Sequence, residues 1–266
     1  MSPTAAESAF RSGDLSAALA ALQAQVRQQP QDVKLRLFLS QLFMVLGQWE
    51  RAENQLRVVA ELDAGALPMA RTYEMAIRCE RLREEIFAGR RSPLIFGEPE
   101  PWIAPLVQAL AAAAEGEGAQ AAALRAQALE QAPAGAGTVN GTAFEWLADA
   151  DSRLGPVFEV LLSGAYYWVP MARVARVSIE PPTDARDLVW LPATFRWTNG
   201  GEAMGLIPTR YTGSTATSEA QLLLARRTDW AALGPDHYAG LGQRVLTTDA
   251  DEFGVLDVRE IVFTPA

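Results

Sequence analysis

Two stretches near the start of the chain match at a spacing of 34 residues: Gly13-Asp14-Leu15-Ser16-Ala17-Ala18 and Gly47-Gln48-Trp49-Glu50-Arg51-Ala52. The register runs from Gly13 to Gly47, Leu15 to Trp49, Ala18 to Ala52 and Leu22 to Leu56. Such a period constrains the fold strongly, because each unit must bury its apolar face against the next. Every matched position has a mechanical role. The glycine ends a helix in a conformation that a β-carbon resists. The alanine three residues after the bulky position lets two helix backbones approach closely. Pro30 stops the second helix of the first unit, whereas the matching Ala64 is a softer stop.

Thirty-four residues is the period of tetratricopeptide helix pairs. A weaker third copy places Gly116, Ala121, Ala128 and Pro133 in the register of Gly13, Ala18, Gln25 and Pro30. Between the copies, Pro68 to Arg91 reads as a helix with Met69, Tyr73, Ala76, Ile77 and Cys79–Leu82 on its apolar positions. Residues 1–132 are therefore expected to form an all-α tetratricopeptide-like stack, with strong repeats over 1–64 and a weak copy over 101–133. Two connectors rich in Gly and Pro follow the helices. Gly89 to Pro101 contains Pro93, Gly97 and Pro99; Ala132 to Gly141 contains Pro133, Gly135 and Gly137. The second, residues 133–142, is taken as the domain boundary.

The first helix of each pair lines the concave face of such a stack. In the second unit that helix covers Val33–Leu46, and Leu37, Gln41 and Met44 fall on one side of it. With Lys34 they are the candidate partner-binding residues, forming a groove for an amphipathic helix; burial in the core is the competing reading for Leu37 and Met44. Lys34 and Arg36 are the only cations on that helix, too few for a clamp on acidic chain ends. The arginines Arg78, Arg81, Arg83, Arg90 and Arg91 interleave with Glu80, Glu84 and Glu85. Glu74–Arg78 and Arg81–Glu85 are spaced as i,i+4 pairs on a solvated helix face.

From about Ala143 the chain changes character, and residues 143–266 are expected to form an α+β domain with a mainly antiparallel sheet. Ala143–Leu154 and Pro156–Leu162 read as short helices, and Val174–Glu180 as extended chain. Val189, Leu191, Ala193, Phe195 and Trp197 alternate with Trp190, Pro192, Thr194, Arg196 and Thr198, a strand with one buried face. Asn199-Gly200-Gly201 then turns the chain into a second strand, Ala203–Pro208. Leu222–Ala225, Arg244–Thr248 and Val255–Phe263 are further strand candidates, the last two joined by the acidic turn Asp249–Gly254. Trp168, Trp190, Trp197 and Trp230 are expected mostly in the core, a surplus one marking an interface.

Composition excludes several classes. One Cys and one His supply neither a disulfide nor a Cys/His zinc site. A net charge of −9 opposes a nucleic-acid or anionic-membrane footprint. Met1-Ser2-Pro3-Thr4-Ala5-Ala6-Glu7 lacks the basic start and apolar core of a secretory leader. The most apolar stretch, Ala104 to Ala114, is 11 residues long, well short of the ~20 of a membrane-spanning helix. A soluble cytoplasmic protein is expected. His237 sits in a polar loop without a second His; Ser163 and Ser178 lack the GxSxG context; Gly200-Gly201 is no phosphate loop. Asp149/Asp151 and Asp249/Asp251 read as turn or helix-end residues. Neither a catalytic constellation nor a cofactor or metal site emerges, although distant acids could still meet in the fold.

Several segments occur in a characteristic order: Phe158-Glu159-Val160, Tyr166-Tyr167-Trp168-Val169-Pro170, Pro181-Pro182, Arg186 to Ala193, Ile207-Pro208-Thr209-Arg210-Tyr211, Arg227-Thr228-Asp229-Trp230 and Gly240-Leu241-Gly242-Gln243-Arg244. Together with the helical front half, the set resembles the TagJ/ImpE (SciE) family of accessory proteins of the bacterial type VI secretion system. The resemblance implies a non-catalytic adaptor that touches the sheath subunit TssB and the AAA+ ATPase ClpV, which dismantles the contracted sheath. Two alternatives remain. One is an enzyme with a site around Arg210, Asp229 and Arg244; the other is a tetratricopeptide scaffold of an unrelated assembly.

Overall fold

The computed structural model describes residues 4–98 and 100–265. Met1–Pro3 of the leader reading, Pro99 of the first connector and Ala266 lie outside the described residues. The helices are α1 (Ala5–Ser12), α2 (Leu15–Gln28), α3 (Val33–Val45), α4 (Trp49–Leu62), α5 (Leu67–Phe87), α6 (Ile103–Ala114), α7 (Gly118–Gln131) and the single turn α8 (Ala220–Leu223). Their starts are written locally. Thr4 and Glu7 form a reciprocal capping box on α1, and the Asp14 and Asp32 carboxylates accept backbone N–H groups at the starts of α2 and α3. The repeated glycines Gly13, Gly47 and Gly116 have φ of +89°, +67° and +82°, the left-handed region that lets each helix pair reverse. The alanines that follow in register, Ala18, Ala52 and Ala121, are 0% exposed. At the softer stop of the second unit the chain makes one 3-10 turn, Ala64–Ala66, and passes directly into α5.

The strands are β1 (Leu94–Ile95), β2 (Gly137–Val139), β3 (Thr142–Phe144), β4 (Leu147–Asp149), β5 (Val157–Leu162), β6 (Ala165–Pro170), β7 (Val174–Ile179), β8 (Trp190–Trp197), β9 (Glu202–Pro208), β10 (Thr228–Gly234), β11 (His237–Gly242), β12 (Val245–Thr248), β13 (Glu252–Gly254) and β14 (Glu260–Phe263). Nine form one sheet in the order β1-β6-β5-β9-β8-β7-β14-β2-β3. Every neighbouring pair in it is antiparallel except β1 with β6. β10 and β11 form a separate hairpin, and β13-β12-β4 a small sheet. The α+β architecture with a tetratricopeptide-like front is thus observed.

Three local expectations are corrected. Val157–Leu162 is a strand, not a helix: all six residues are buried, and a strand covered on both faces loses the alternation that would identify it. Within Ala143–Leu154 the chain forms β4 and part of β3 rather than a helix. Leu222–Ala225 belongs to the helical turn α8 and its cap rather than to a strand. The hairpin at Asn199–Gly201 joins β8 to β9 as expected.

The nine-stranded sheet has a core on each face. Phe158, Val160, Leu191, Phe195 and Trp197 pack on one side with Leu147 and Leu246 of the small sheet. On the other side Val157, Leu161, Tyr166, Trp168 and Trp190 join Leu22, Leu42, Met44, Leu56 and Ile77 of the helices in one continuous cluster. Trp190 has the outward parity of β8 and is nevertheless 0% exposed. Its ring lies between Trp49 of α4 and Tyr73 of α5, with centroids 6.0 and 6.1 Å away. The sheet therefore packs directly against α4 and α5. β1 lies within the first connector and is stitched onto β6, and Phe96 N–H donates to the Trp168 carbonyl at 2.9 Å.

Candidate partner-binding groove

Between α1, α3 and the segment 182–188 lies a groove of about 490 Å³. Phe10 of α1 and Phe38 of α3 meet edge to face, 5.7 Å between centroids, and together with Leu37 and Leu188 make its walls apolar. Charged groups sit around these walls: Glu7, Arg11, Lys34 and Asp184. The far wall is held by Asp187, whose Oδ2 accepts the N–H groups of Thr183 and Asp184 at 2.8 and 2.9 Å.

Three of the four residues expected from repeat geometry line this groove: Lys34, Leu37 and Gln41. Lys34 is exposed and Leu37 half-buried. Gln41 is 6% exposed, and its side chain lines the groove without a hydrogen-bond partner among the described residues. The fourth residue is corrected. Met44 is 0% exposed and belongs to the core under the sheet, because the back half of the chain covers the last turn of α3. Arg210 donates there to the carbonyls of Val45 at 2.7 Å and Met44 at 3.3 Å. Repeat geometry missed Phe10 and the segment 182–188. For Phe10 a signal existed, since Glu7, Phe10 and Arg11 share a face at i, i+3 and i+4. The approach of residues 182–188 is tertiary and left no periodic mark.

Beneath the groove's covered end lies a buried ionic cluster. Glu159 of β5 accepts from Arg83 Nε at 2.5 Å and Nη2 at 2.9 Å, and also from Arg244 and the Tyr166 hydroxyl. Arg244 also pairs with Asp149, whose Oδ1 accepts from the Tyr211 hydroxyl at 2.9 Å. Glu80 accepts from Arg83 Nη1 at 3.3 Å and Trp190 Nε1 at 2.9 Å. Burial alone would raise the Glu159 carboxyl, but Arg83 and Arg244 outweigh it and hold it at about 2. Asp149 has only one guanidinium, and burial pushes it up to about 6.

This corrects the reading of the α5 charges as a solvated face. Glu80 and Arg83 are 7% and 3% exposed. Arg81 pairs with Glu53 of the neighbouring α4, and Glu85 with Arg90, in place of the i,i+4 partners. Asp149, at the end of β4, and Asp151, at the start of the turn that follows, are likewise buried, at 3% and 0% exposure.

The residues of the enzyme alternative do not converge. Arg210 caps backbone carbonyls, Arg244 is locked between two carboxylates, and Asp229 pairs with Arg227 on the β10–β11 hairpin. The cavity beside Arg210 measures about 10 Å³, room for roughly one water. His237 lies at the tip of that hairpin with Nδ1 3.0 Å from the Pro235 carbonyl oxygen. Among the described residues no group of three or more His, Cys, Asp or Glu side chains could hold a metal ion. No described helix is long and apolar enough to cross a membrane. Trp168, Trp190 and Trp197 are buried, while Trp230 is 41% exposed beside Tyr211.

Comparison with known proteins agrees with this architecture. The family model "ImpE protein" matches residues 141–262, and a tetratricopeptide-repeat model matches residues 9–71. A relative from Pseudomonas aeruginosa, described as type VI secretion system accessory component TagJ, is 51% identical over 260 residues, 98% of this chain and 91% of the relative. The crystal structure of protein VPA1032 from Vibrio parahaemolyticus superposes with a TM-score of 0.89 at 26% identity, covering 99% of this chain and 98% of the other.

Proposed function

The chain belongs to the TagJ/ImpE family of type VI secretion accessory proteins, and from that premise we propose that it is a non-catalytic cytoplasmic adaptor. In this reading it holds a helix of the sheath subunit TssB in the groove between α1 and α3 and brings it to the ATPase ClpV, assisting disassembly and recycling of the sheath. The observation that carries the reading is the groove itself, with its apolar walls, its charged surroundings and the Gln41 side chain in its lining. An amphipathic helix supplies what these walls lack: apolar side chains at i, i+3, i+4 and i+7 for Phe10, Leu37 and Phe38, and one polar group for Gln41. No bond-making chemistry is required. Holding the sheath segment and the ATPase on one body raises their effective concentration, and that is where the benefit to disassembly comes from.

The test is a titration of the purified full chain with TssB and with ClpV from the same organism. Saturable binding of TssB that weakens on Lys34→Glu and Leu37→Asp is the expected result. Absence of binding to both proteins overturns the proposal.

A further inference from the structure

Leu39 and Phe43 of α3 point away from the groove described above, since they lie roughly half a turn around the helix from Leu37 and Gln41. Between α2, α3 and α4 they floor a second groove of about 320 Å³. Val26, Leu39 and Phe43 are 8%, 4% and 2% exposed. Two arginines line this groove, and no carboxylate does. Arg51 lays its guanidinium over the Phe43 ring, 4.1 Å from the centroid, and gives Nη1 to Gln48 Oε1 at 2.5 Å. Its other N–H groups, and all of those on the Arg27 guanidinium, have no protein acceptor among the described residues. Arg81, Arg83, Arg90, Arg153 and Arg244 each meet a carboxylate within the chain, whereas Arg27 and Arg51 share one groove and meet none among the described residues.

We propose that this second groove takes an acidic segment of a partner protein, carrying two carboxylates that flank an apolar side chain. Charge complementarity names the occupant. Guanidinium groups bind carboxylates in a two-pronged geometry that amides and hydroxyls do not match, and stacking on Phe43 fixes the plane of one of them before anything arrives. The apolar side chain covers the floor made by Val26, Leu39 and Phe43. This occupant goes beyond the secretion role proposed above and does not depend on it, because the two grooves share no lining residue.

The experiment uses the full chain and two labelled peptides of equal length, one built of glutamate and leucine, the other of glutamine and leucine. Binding of the glutamate peptide, weakened by added salt and lowered about tenfold by Arg27→Glu with Arg51→Glu, is expected. Both arginines are exposed, so the double variant should keep its circular dichroism spectrum. Lys34→Glu, in the other groove, should leave peptide binding unchanged. Equal binding of the two peptides, binding indifferent to the double variant, or no binding by the unaltered chain overturns the proposal. So does concentration-dependent self-association that the double variant abolishes, which would make the occupant a second copy of this chain.

Discussion

Arg83 of α5 and Glu159 of β5, 76 positions apart, form a two-pronged ion pair at 2.5 and 2.9 Å with 3% and 1% of their surfaces exposed. Taking both charges out of water costs several kcal/mol apiece, and their attraction repays this only because the remaining hydrogen-bonding positions are filled. Tyr166 and Arg244 complete the shell of Glu159; Glu80 and the Arg210 carbonyl complete that of Arg83. The pair contributes modestly to net stability and strongly to how the helices and the sheet register against each other.

Glu159→Gln should therefore destabilise the chain by about 3–5 kcal/mol at neutral pH, as expected when one partner of a buried pair is removed. The cost should depend on pH in a defined direction. The native carboxyl sits at about 2, below its ordinary 4.5, so its contribution is full above pH 4.5 and is lost as pH falls from there toward 2. Over that interval the gap between the two proteins should narrow by about 3 kcal/mol. Urea denaturation at a series of pH values measures it; a gap independent of pH contradicts the arrangement.

A fragment ending at Ala132 should not fold independently. Its concave side would present Met44, Trp49, Tyr73 and Ile77 to water, residues that the intact chain covers with the sheet. The expected signature is dye binding to exposed apolar surface with a broad thermal transition, against one cooperative transition for the whole chain. Calorimetry of both makes the comparison, and a sharp transition in the fragment would count against a shared core.

The helical front was legible because the pairs α1–α2 and α3–α4 repeat the same local chemistry: an apolar stripe, a glycine at the reversal and a small residue at the crossing. β8 and β9 were legible for an equally local reason, a two-residue alternation running into Asn199-Gly200-Gly201. β5 was not. Lying in the middle of the sheet with cores on both faces, Val157–Leu162 has no solvent side, and its apolar run fits a helix or a strand. The candidate groove was half legible. Lys34, Leu37 and Gln41 follow from helix period, but Met44 is buried in a core shared with residues of the back half such as Trp190, far away in sequence. The ionic cluster was illegible for the same reason: nothing near Arg83 distinguishes it from Arg81, which stays at the surface with Glu53.

Gly240→Ala tests the packing beneath the β10–β11 hairpin. A β-carbon there would lie 2.2 Å from two atoms of the Tyr211 ring. That ring cannot easily yield, since its hydroxyl is held by Asp149 and by the Val245 N–H. A loss of about 1–3 kcal/mol is expected for such overpacking, read as a lower denaturation midpoint with an unchanged slope.

Leu37→Asp and Met44→Ala should separate groove from core. The first places a charge on a half-buried groove wall and, on the role proposed for that groove, should weaken TssB binding at least about tenfold, or 1.4 kcal/mol, with little change in melting temperature. The second empties a fully buried site and should cost about 2–5 kcal/mol of stability. Its affinity for TssB, measured below the melting range, should stay within a factor of two or so of the parent. Isothermal titration and thermal melts on the same preparations distinguish the two; matching profiles would mean that Leu37 is core after all.

The two-residue strand β1 has a mechanical consequence. Because the connector between α5 and α6 is itself laid into the sheet beside β6, and Phe96 packs 4.3 Å from Trp197 by ring centroids, it acts as a second clasp between helices and sheet, separate from the place where the chain crosses into the back half at residues 133–142.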